Sequence, residues 1–346
     1  MSHVVGVHVD GGSGVGLGHV SRGVGLAAAL RARDCEPIFL VPEGSEIDGY
    51  LRRSGERVAA CSPAESGLLA ACAQVSAGAL VIDSYRIGTE ELARIAHGGV
   101  VLVCFDDTAE REFVADLIVN GSPAALALPY RARVGCRYLL GPAYQIVRPQ
   151  FVPDVARDHG GPPATVLATV GGDDPLHILD DLIAFFGSWL AARGPESRVD
   201  VVVGPFVART EDRDVPVGLR LHDAPRDLRT LMIGADVAVS AGGQTLYELA
   251  RCGTPTVAVC VAADQARNLE ALGGLRAIEY VGWARSSGWI DRVDVALMAL
   301  WRDARERTRM AQTAAQLFDG LGASRVADGI LTLLRQRSPA EVRGCR

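Results

Sequence analysis

His3-Val-Val-Gly-Val-His-Val9, followed by Asp10-Gly-Gly-Ser-Gly-Val-Gly-Leu-Gly18-His19-Val-Ser-Arg22, is the stretch that decides the fold. The first run is short and mostly apolar and reads as a buried strand. Glycines follow, and from about His19 to Arg33 the residues Val20, Val24, Leu26, Ala27 and Leu30 supply one apolar helical face. Strand, glycine-rich turn and helix together open a parallel α/β sheet. Further strands are expected at Pro37–Val41, Ala79–Asp83, Val100–Asp106 and Ala115–Asn120. Strands without polar alternation, separated by helices, imply a sheet covered on both faces.

The rhythm breaks over 141–163, where Pro142, Pro149, Pro153, Pro162, Pro163, Gly160 and Gly161 mark a linker. It then restarts, with strands at Thr165–Val170, Val199–Gly204, Leu219–His222, Ala235–Ser240 and Pro255–Val261, and helices at Pro175–Ala192, Arg292–Leu317 and Ala323–Arg335. The expectation is an α/β chain of two Rossmann-like domains facing a cleft, residues 1–150 and 151–346, with the last helix free to pack back on the first domain and the residues from 338 onward frayed.

Composition narrows the chemistry. The 346 residues are 49% hydrophobic and 22% charged, with a net charge of −6, which is ordinary for a globular chain. All 35 basic residues are Arg. A chain without Lys forms no Schiff base, holds no pyridoxal phosphate and has no Walker phosphate loop. Nothing clusters Arg with aromatics, so no nucleic-acid partner is expected. Cys35, Cys61, Cys72, Cys104, Cys136, Cys252, Cys260 and Cys345 form no C-x-x-C pair and read as core thiols in a reducing compartment. There is no basic signal-peptide start and no long apolar run, so no transmembrane span and a cytoplasmic location are expected.

Open parallel sheets bind ligands at the carboxyl ends of their strands. The first such loop, Asp10 to Gly18, matches neither a dinucleotide fingerprint nor a nucleophile elbow. It leaves His19 at the mouth of a glycine-rich turn, as a general base or as a helix-capping side chain. In Ser240-Ala-Gly-Gly243-Gln-Thr245-Leu-Tyr-Glu248, Gly242 and Gly243 open a helix whose N–H groups suit a diphosphate. Gln244 and Thr245 add donors, and Glu248 is placed to accept from ribose hydroxyls. The same residues also read as a plain turn with a helix-start Glu.

Gly171-Gly172-Asp173-Asp174-Pro175 is a ligand loop, or a turn with an Asp N-cap and Pro in the first helical turn. Asp264 and Gln265 suit sugar hydroxyls, Asp264 equally an N-cap. Asp83-Ser84-Tyr85 and Phe105-Asp106-Asp107 end strands; the paired Asp106 and Asp107 suit metal or acid–base work, or brace their loop. His3, His8, His97, His159, His177 and His222 have no ligand spacing and read as structural, with His222 also a candidate nucleobase contact.

In order along the chain, Gly16-x-Gly18-His19-x-x-Arg22, Val-Ile-Asp83-Ser-Tyr85, Asp106-Asp107-x-x-x-Arg111, Asp116-Leu-Ile-Val-Asn120, Leu140-Gly-Pro-x-Tyr144-x-x-x-Arg148-Pro-x-Phe151, Gly171-Gly172-x-Asp174-Pro175 and Ala241-Gly242-Gly243-x-Thr245-x-x-Glu248 resemble the UDP-sugar hydrolase of pseudaminic acid biosynthesis. They also resemble the spore-coat polysaccharide glycosyltransferase-like proteins and, more distantly, the N-acetylglucosaminyltransferase of peptidoglycan synthesis. The likeness spans roughly residues 3–275.

It implies the glycosyltransferase B-type fold, with the nucleotide in the C-terminal domain, the acceptor in the N-terminal domain and no metal or other cofactor. His19 matches the family's catalytic His, and Tyr85 a tyrosine near the reacting sugar. Gly243, Thr245 and Glu248 match diphosphate and ribose contacts, and Gln265 a sugar contact. Gly18, Gly172, Gly242, Gln244 and Asp264 complete the expected donor site.

Gln244 stands where the hydrolases usually have Ser, Ala263-Asp264-Gln265 replaces an acidic-Asn-Gln run, and Gly23 stands where Cys often follows the Arg. These departures fall largely on donor and sugar contacts. The expected activity is inverting, metal-independent transfer from a nucleotide-diphosphate sugar to a small-molecule acceptor, in a carbohydrate or specialised-metabolite pathway. The alternatives are a nucleotide-sugar hydrolase with water as acceptor and a non-catalytic nucleotide-sugar-binding partner protein.

Overall fold

In the computed structural model the described residues are 3–62, 67–153, 155, 157–207 and 215–337, so Cys345 and the expected frayed end lie outside them. The chain divides into two units. One comprises Met1–Gly11, His19–Ile146 and Leu321–Arg346; the other comprises Gly12–Gly18 and Val147–Gly320.

Unit 1 runs β1 (Val4–Val9), α1 (Gly18–Arg31), β2 (Glu36–Val41), α2 (Glu46–Arg53), β3 (Val58–Ala60), α3 (Gly67–Gln74), β4 (Ala79–Asp83), α4 (Thr89–His97), β5 (Val101–Phe105), β6 (Glu112–Phe113), β7 (Leu117–Asn120), β8 (Arg131–Ala132) and β9 (Arg137–Leu140). Its main sheet has the order β3-β2-β1-β4-β5-β7-β9, every pair parallel. β4 and β5 are buried at every position, which is why they show no polar alternation in sequence. Ile38, Leu80, Ile82, Leu92, Ile95 and Leu102 pack one face. Each such side chain contributes about 1.5–3 kcal/mol by leaving water.

Unit 2 runs β10 (Thr165–Thr169), α5 (Leu179–Ala191), β11 (Arg198–Val203), β12 (Leu219–Asp223), α6 (Leu228–Gly234), β13 (Val237–Ala241), α7 (Thr245–Arg251), β14 (Thr256–Cys260), α8 (Ala263–Gly274), β15 (Glu279–Trp283), α9 (Trp289–Arg302) and α10 (Ala304–Leu317). Its sheet order is β12-β11-β10-β13-β14-β15, again all parallel. Separate cores cover the two faces, one around Phe186, Trp189 and Leu297 and one around Phe151, Leu249 and Leu269. α11 (Gly322–Gln336) then returns to unit 1. There Arg33 pairs with Asp328, Arg337 with Asp116, and Arg325 donates to the Ala143 carbonyl.

Two expectations need correction. The helix expected over Arg292–Leu317 is two helices, broken at Asp303, whose carboxylate accepts from the N–H groups of Arg305 and Glu306 and restarts the chain as an N-cap. The helix expected from Pro175 starts at Leu179. Asp174 still satisfies its first turn, accepting from Ile178 and Leu179 N–H at 3.0 and 2.8 Å.

The boundary between the units, Ile146 to Val147, falls inside the proline-rich segment, whose later part is anchored on unit 2. Phe151 is fully buried in the unit 2 core. Arg251 donates to the carbonyls of Phe151, Val152 and Phe318, and Arg307 to those of His159, Gly161, Leu300 and Trp301. Guanidinium forks suit such multi-carbonyl stapling.

The described thiols are free, and burial pushes Cys72, Cys104 and Cys252 up to about 12, which keeps them inert. No helix among the described residues is long and apolar enough to cross a membrane.

Candidate functional site

Each sheet reverses its winding direction once, between β1 and β4 in unit 1 and between β10 and β13 in unit 2. Ligands of open α/β sheets gather at such switch points, beyond the carboxyl ends of the strands. The expected site residues lie chiefly at these places.

In unit 1, His19 is the second residue of α1 and 9% exposed. Its Nδ1 lies 2.5 Å from Asp83 Oδ1, at the end of β4. A buried carboxylate there accepts, so Nδ1 carries the proton and Nε2 of the neutral ring keeps a lone pair. Arg22 lies one turn along the same helical face. It donates Nε and Nη2 to Asp83 at 2.7 Å each, and Nη1 and Nη2 to Asp107 at 3.0 Å each. Asp107 Oδ2 also accepts the Tyr85 hydroxyl at 3.0 Å. The Tyr85 ring, 43% exposed, stands edge-on to the His19 ring at 5.2 Å.

The electrostatics follow from this packing. Burial pulls the His19 pKa down, but the charge and hydrogen bond of Asp83 outweigh it and leave the imidazole above its ordinary value. Burial would raise Asp83, yet Arg22 and His19 hold it well below the usual carboxylate range. Asp106 and Asp107 divide the roles left open for them. Asp106 accepts from Thr108 and Ala109 N–H, a loop brace, and burial lifts its pKa. Asp10 braces the next loop, accepting from the Ser84 hydroxyl and Tyr85 N–H.

In unit 2, Gly171 has φ 98°, a left-handed conformation that favours glycine. Gly242 is needed for close approach: a Cβ there would sit 2.6 Å from Leu269 Cδ1 and 2.9 Å from Gln265 Oε1. A Cβ on Gly243 or Gly18 would meet nothing within 4 Å. α7 begins at Thr245 with Gln244 as its N-cap, so Gly242 and Gly243 precede the helix instead of opening it.

Glu248, 2% exposed, receives Arg148 Nε and Nη2 at 2.7 and 2.8 Å. The expected ribose acceptor therefore already holds a guanidinium, which also lies over the Phe151 ring. Gln265 accepts from Val261 N–H at 3.1 Å across the β14–α8 turn. Asp264 is exposed in the first turn of α8, whose N-cap is Ala262, so it is not a cap. Within the same unit, Asp173 accepts from Gly14 N–H at 2.6 Å, and a Cβ on Gly172 would meet Leu17. His222, on the edge strand β12, pairs with Asp200 at 2.8 Å.

Sequence reasoning missed the His19–Asp83 pair, both carboxylate contacts of Arg22 and the Arg148–Glu248 pair. The one available signal was the His19-x-x-Arg22 spacing, which places both side chains on one helical face. Among the described residues no group of three or more His, Cys, Asp or Glu side chains is arranged to hold a metal ion.

No protein-family profile matches the chain. Protein MJ1062 of Methanocaldococcus jannaschii is 22% identical over 272 residues, 73% of this chain and 54% of that protein. This chain thus spans about half the length of the archaeal relative. The spore coat polysaccharide biosynthesis protein SpsG of Bacillus subtilis is 25% identical over 266 residues, 72% of this chain and 75% of its own.

Among solved structures, the spinosyn forosaminyltransferase SpnP aligns with a TM-score of 0.70 at 13% identity, covering 96% of this chain and 99% of its own. MurG of Acinetobacter baumannii aligns at 0.65 and 15% identity, covering 96% and 100%. Anabaena HepE in complex with UDP-glucose aligns at 0.59 and 14% identity, covering 95% and 99%. The fold is that of the B-type glycosyltransferases, with two Rossmann-like domains.

Proposed function

We propose that this chain transfers a sugar from a nucleotide-diphosphate donor to a small-molecule acceptor, by a single displacement that inverts the anomeric centre. The observation that carries the reading is the His19–Asp83 pair at the switch point of the unit 1 sheet, in a fold shared with sugar transferases. Asp83 holds the Nδ1 proton, so Nε2 is the basic nitrogen. Nε2 takes the proton of the attacking hydroxyl as its oxygen bonds the anomeric carbon. The bond from that carbon to the diphosphate oxygen breaks, and its electron pair leaves with the diphosphate. The imidazolium so formed is balanced by Asp83.

In unit 2, the turn Gly242-Gly243-Gln244 and the start of α7 at Thr245 are assigned to the leaving diphosphate, whose charge a helix N-terminus favours without a metal. Glu248 is assigned to the ribose, because each carboxylate oxygen retains a lone pair after receiving one Arg148 N–H. Gly18, Gly172, Asp264 and Gln265 remain with the donor sugar side of this proposal, and His222 with the nucleobase. HepE was solved with UDP-glucose, which makes UDP the first nucleotide to test. A cytoplasmic setting belongs to the same reading, since the described thiols are free.

Tyr85 favours a second reading. By the resemblance it matches a tyrosine near the reacting sugar of the hydrolases, and its ring stands edge-on to His19, an arrangement also suited to activating water. The deciding experiment is mass spectrometry of the purified protein with a panel of nucleotide sugars, with and without cell extract. Diphosphate release together with a new glycosylated mass, only when extract is present, supports the transferase. Free sugar and diphosphate without extract make water the acceptor. No turnover under either condition, with nucleotide sugar still bound, supports a non-catalytic binding partner.

A further inference from the structure

Five side chains in unit 1 form a closed circuit, of which the displacement as written uses only His19 and Asp83. His19 bonds Asp83, Asp83 bonds Arg22, Arg22 bonds Asp107, Asp107 bonds the Tyr85 hydroxyl, and the Tyr85 ring returns to the edge of the His19 ring. The members come from α1, the end of β4, the loop after β4 and the loop after β5. Arg22 is the hub. It is 9% exposed, spends four N–H bonds on two carboxylates and lies over the Phe105 ring at 5.1 Å. A planar fork reaches two carboxylates at once, which a lysine ammonium does not reproduce.

We propose that Arg22 and Asp107 are positioning residues for the reaction assigned to this site: through one shared guanidinium they fix the Asp83 carboxylate that orients His19 and the Tyr85 ring that walls it. This rests on the reading of His19 as the base. The charge balance gives the circuit a second role. The charged groups facing His19 are Asp83 from β4, Arg22 from α1 and Asp107 from the loop after β5. With His19 neutral they sum to one net negative charge, so taking up a proton brings the cluster to neutrality. Arg22 opposes protonation of His19, and Asp107 offsets Arg22. Asp107 thereby supports the basicity of an imidazole that it does not touch.

The test needs no identified substrate. His19 is titrated by NMR in histidine-labelled protein, with His19→Ala assigning its signals. The variants are Asp107→Asn, Arg22→Lys and Tyr85→Phe, and titration with UDP serves as a control for intact unit 2. Asp107→Asn should move the His19 midpoint to lower pH while keeping the Nδ1–H signal of the Asp83 bond. Arg22→Lys should weaken that signal. Tyr85→Phe deletes a hydrogen bond but no charge, and should leave the midpoint in place. Once a donor is found, Arg22→Lys should lose about 10²-fold in kcat with little change in donor KM, the loss expected of a misplaced base.

An Asp107→Asn midpoint and an Arg22→Lys Nδ1–H signal both equal to wild type would overturn the proposal, even if His19→Ala abolished turnover. Turnover retained in His19→Ala would instead remove the base assignment on which it rests. If Arg22→Lys fails to fold, Asp107→Asn, at a half-buried position, decides alone.

Discussion

Replacing Asp83 with Asn keeps the shape of the side chain and removes its charge. Asp83 is 2% exposed and accepts three short hydrogen bonds, from His19 Nδ1 at 2.5 Å and from Arg22 Nε and Nη2 at 2.7 Å each. An amide has one oxygen and one NH2, and three donors face it. If the amide oxygen takes the Oδ2 position and accepts from Arg22 Nε, the NH2 faces both His19 and Arg22 Nη2, and His19 must accept at Nδ1 and carry its proton on Nε2. That tautomer has no lone pair for an acceptor hydroxyl. If the oxygen turns to His19, the NH2 meets the guanidinium.

Removing one partner of a buried pair costs about 3–5 kcal/mol of stability. Arg22 retains its two bonds to Asp107, which places the expectation near the lower end, about 3 kcal/mol. A general base is worth about 10²–10⁴ in rate, so kcat should fall by that factor, or about 3–5 kcal/mol in the barrier. UDP affinity, assigned to unit 2, should stay close to wild type. Initial rates of diphosphate release, calorimetric titration with UDP and urea unfolding read the three quantities separately. A kcat near the wild-type value in a folded Asp83→Asn protein would refute the assignment of Asp83 as the group that sets the His19 tautomer.

Four other outcomes are expected. Glu248→Ala should weaken UDP binding and remove the carboxylate that the half-buried Arg148 pairs with; unchanged affinity by calorimetry would remove Glu248 from the donor site. The base must be deprotonated and the His19 pKa is raised, so kcat/KM should fall as pH drops through a point above the ordinary imidazole value of about 6.5. The linked stability runs the other way: the His19–Asp83 contribution is fully present below the unfolded-state value and is lost as pH rises through the raised one. A pH–rate profile limited only well below 6 would contradict this. Asp303→Ala removes the cap that restarts α10 and should cost about 1 kcal/mol in urea unfolding, without effect on UDP binding.

The strands of both sheets were legible because their buried apolar runs are short and bounded by glycine, proline or charge. β4 was read residue for residue over Ala79–Asp83. The short or partly exposed edge strands β3, β9 and β15 were not, since a three-residue run, an Arg-Tyr-Leu-Leu segment or a Glu-Tyr-Val-Gly-Trp segment carries little periodic signal. The candidate site was legible as a set of loops and hidden as a set of bonds. His19 follows β1 and Asp83 ends β4, and nothing local states that β1 and β4 are neighbours; that is a property of the strand order. Arg148 and Glu248 are a hundred residues apart, and they meet where Phe151 packs into the unit 2 core. The Asp106-Asp107 pair looked uniform, yet one residue turns to its own backbone and the other to Arg22.

The return of α11 has a consequence for the order in which the protein is made. It follows every element of unit 2 along the chain, yet it packs against β5, and an added Cβ on its Gly329 would meet Leu139 and Leu117 of β9 and β7. Until Leu321 and the residues after it emerge, the nascent unit 1 leaves this apolar surface uncovered. Unit 2, nearly contiguous over Val147–Gly320, has all its strands first. The usual vectorial order, N-terminal domain first, is thus inverted at the finishing step. The unit that carries His19 is sealed only after all of unit 2 has been made, and a ribosome that stalls before Leu321 releases a chain in which unit 2 has all its segments and unit 1 does not.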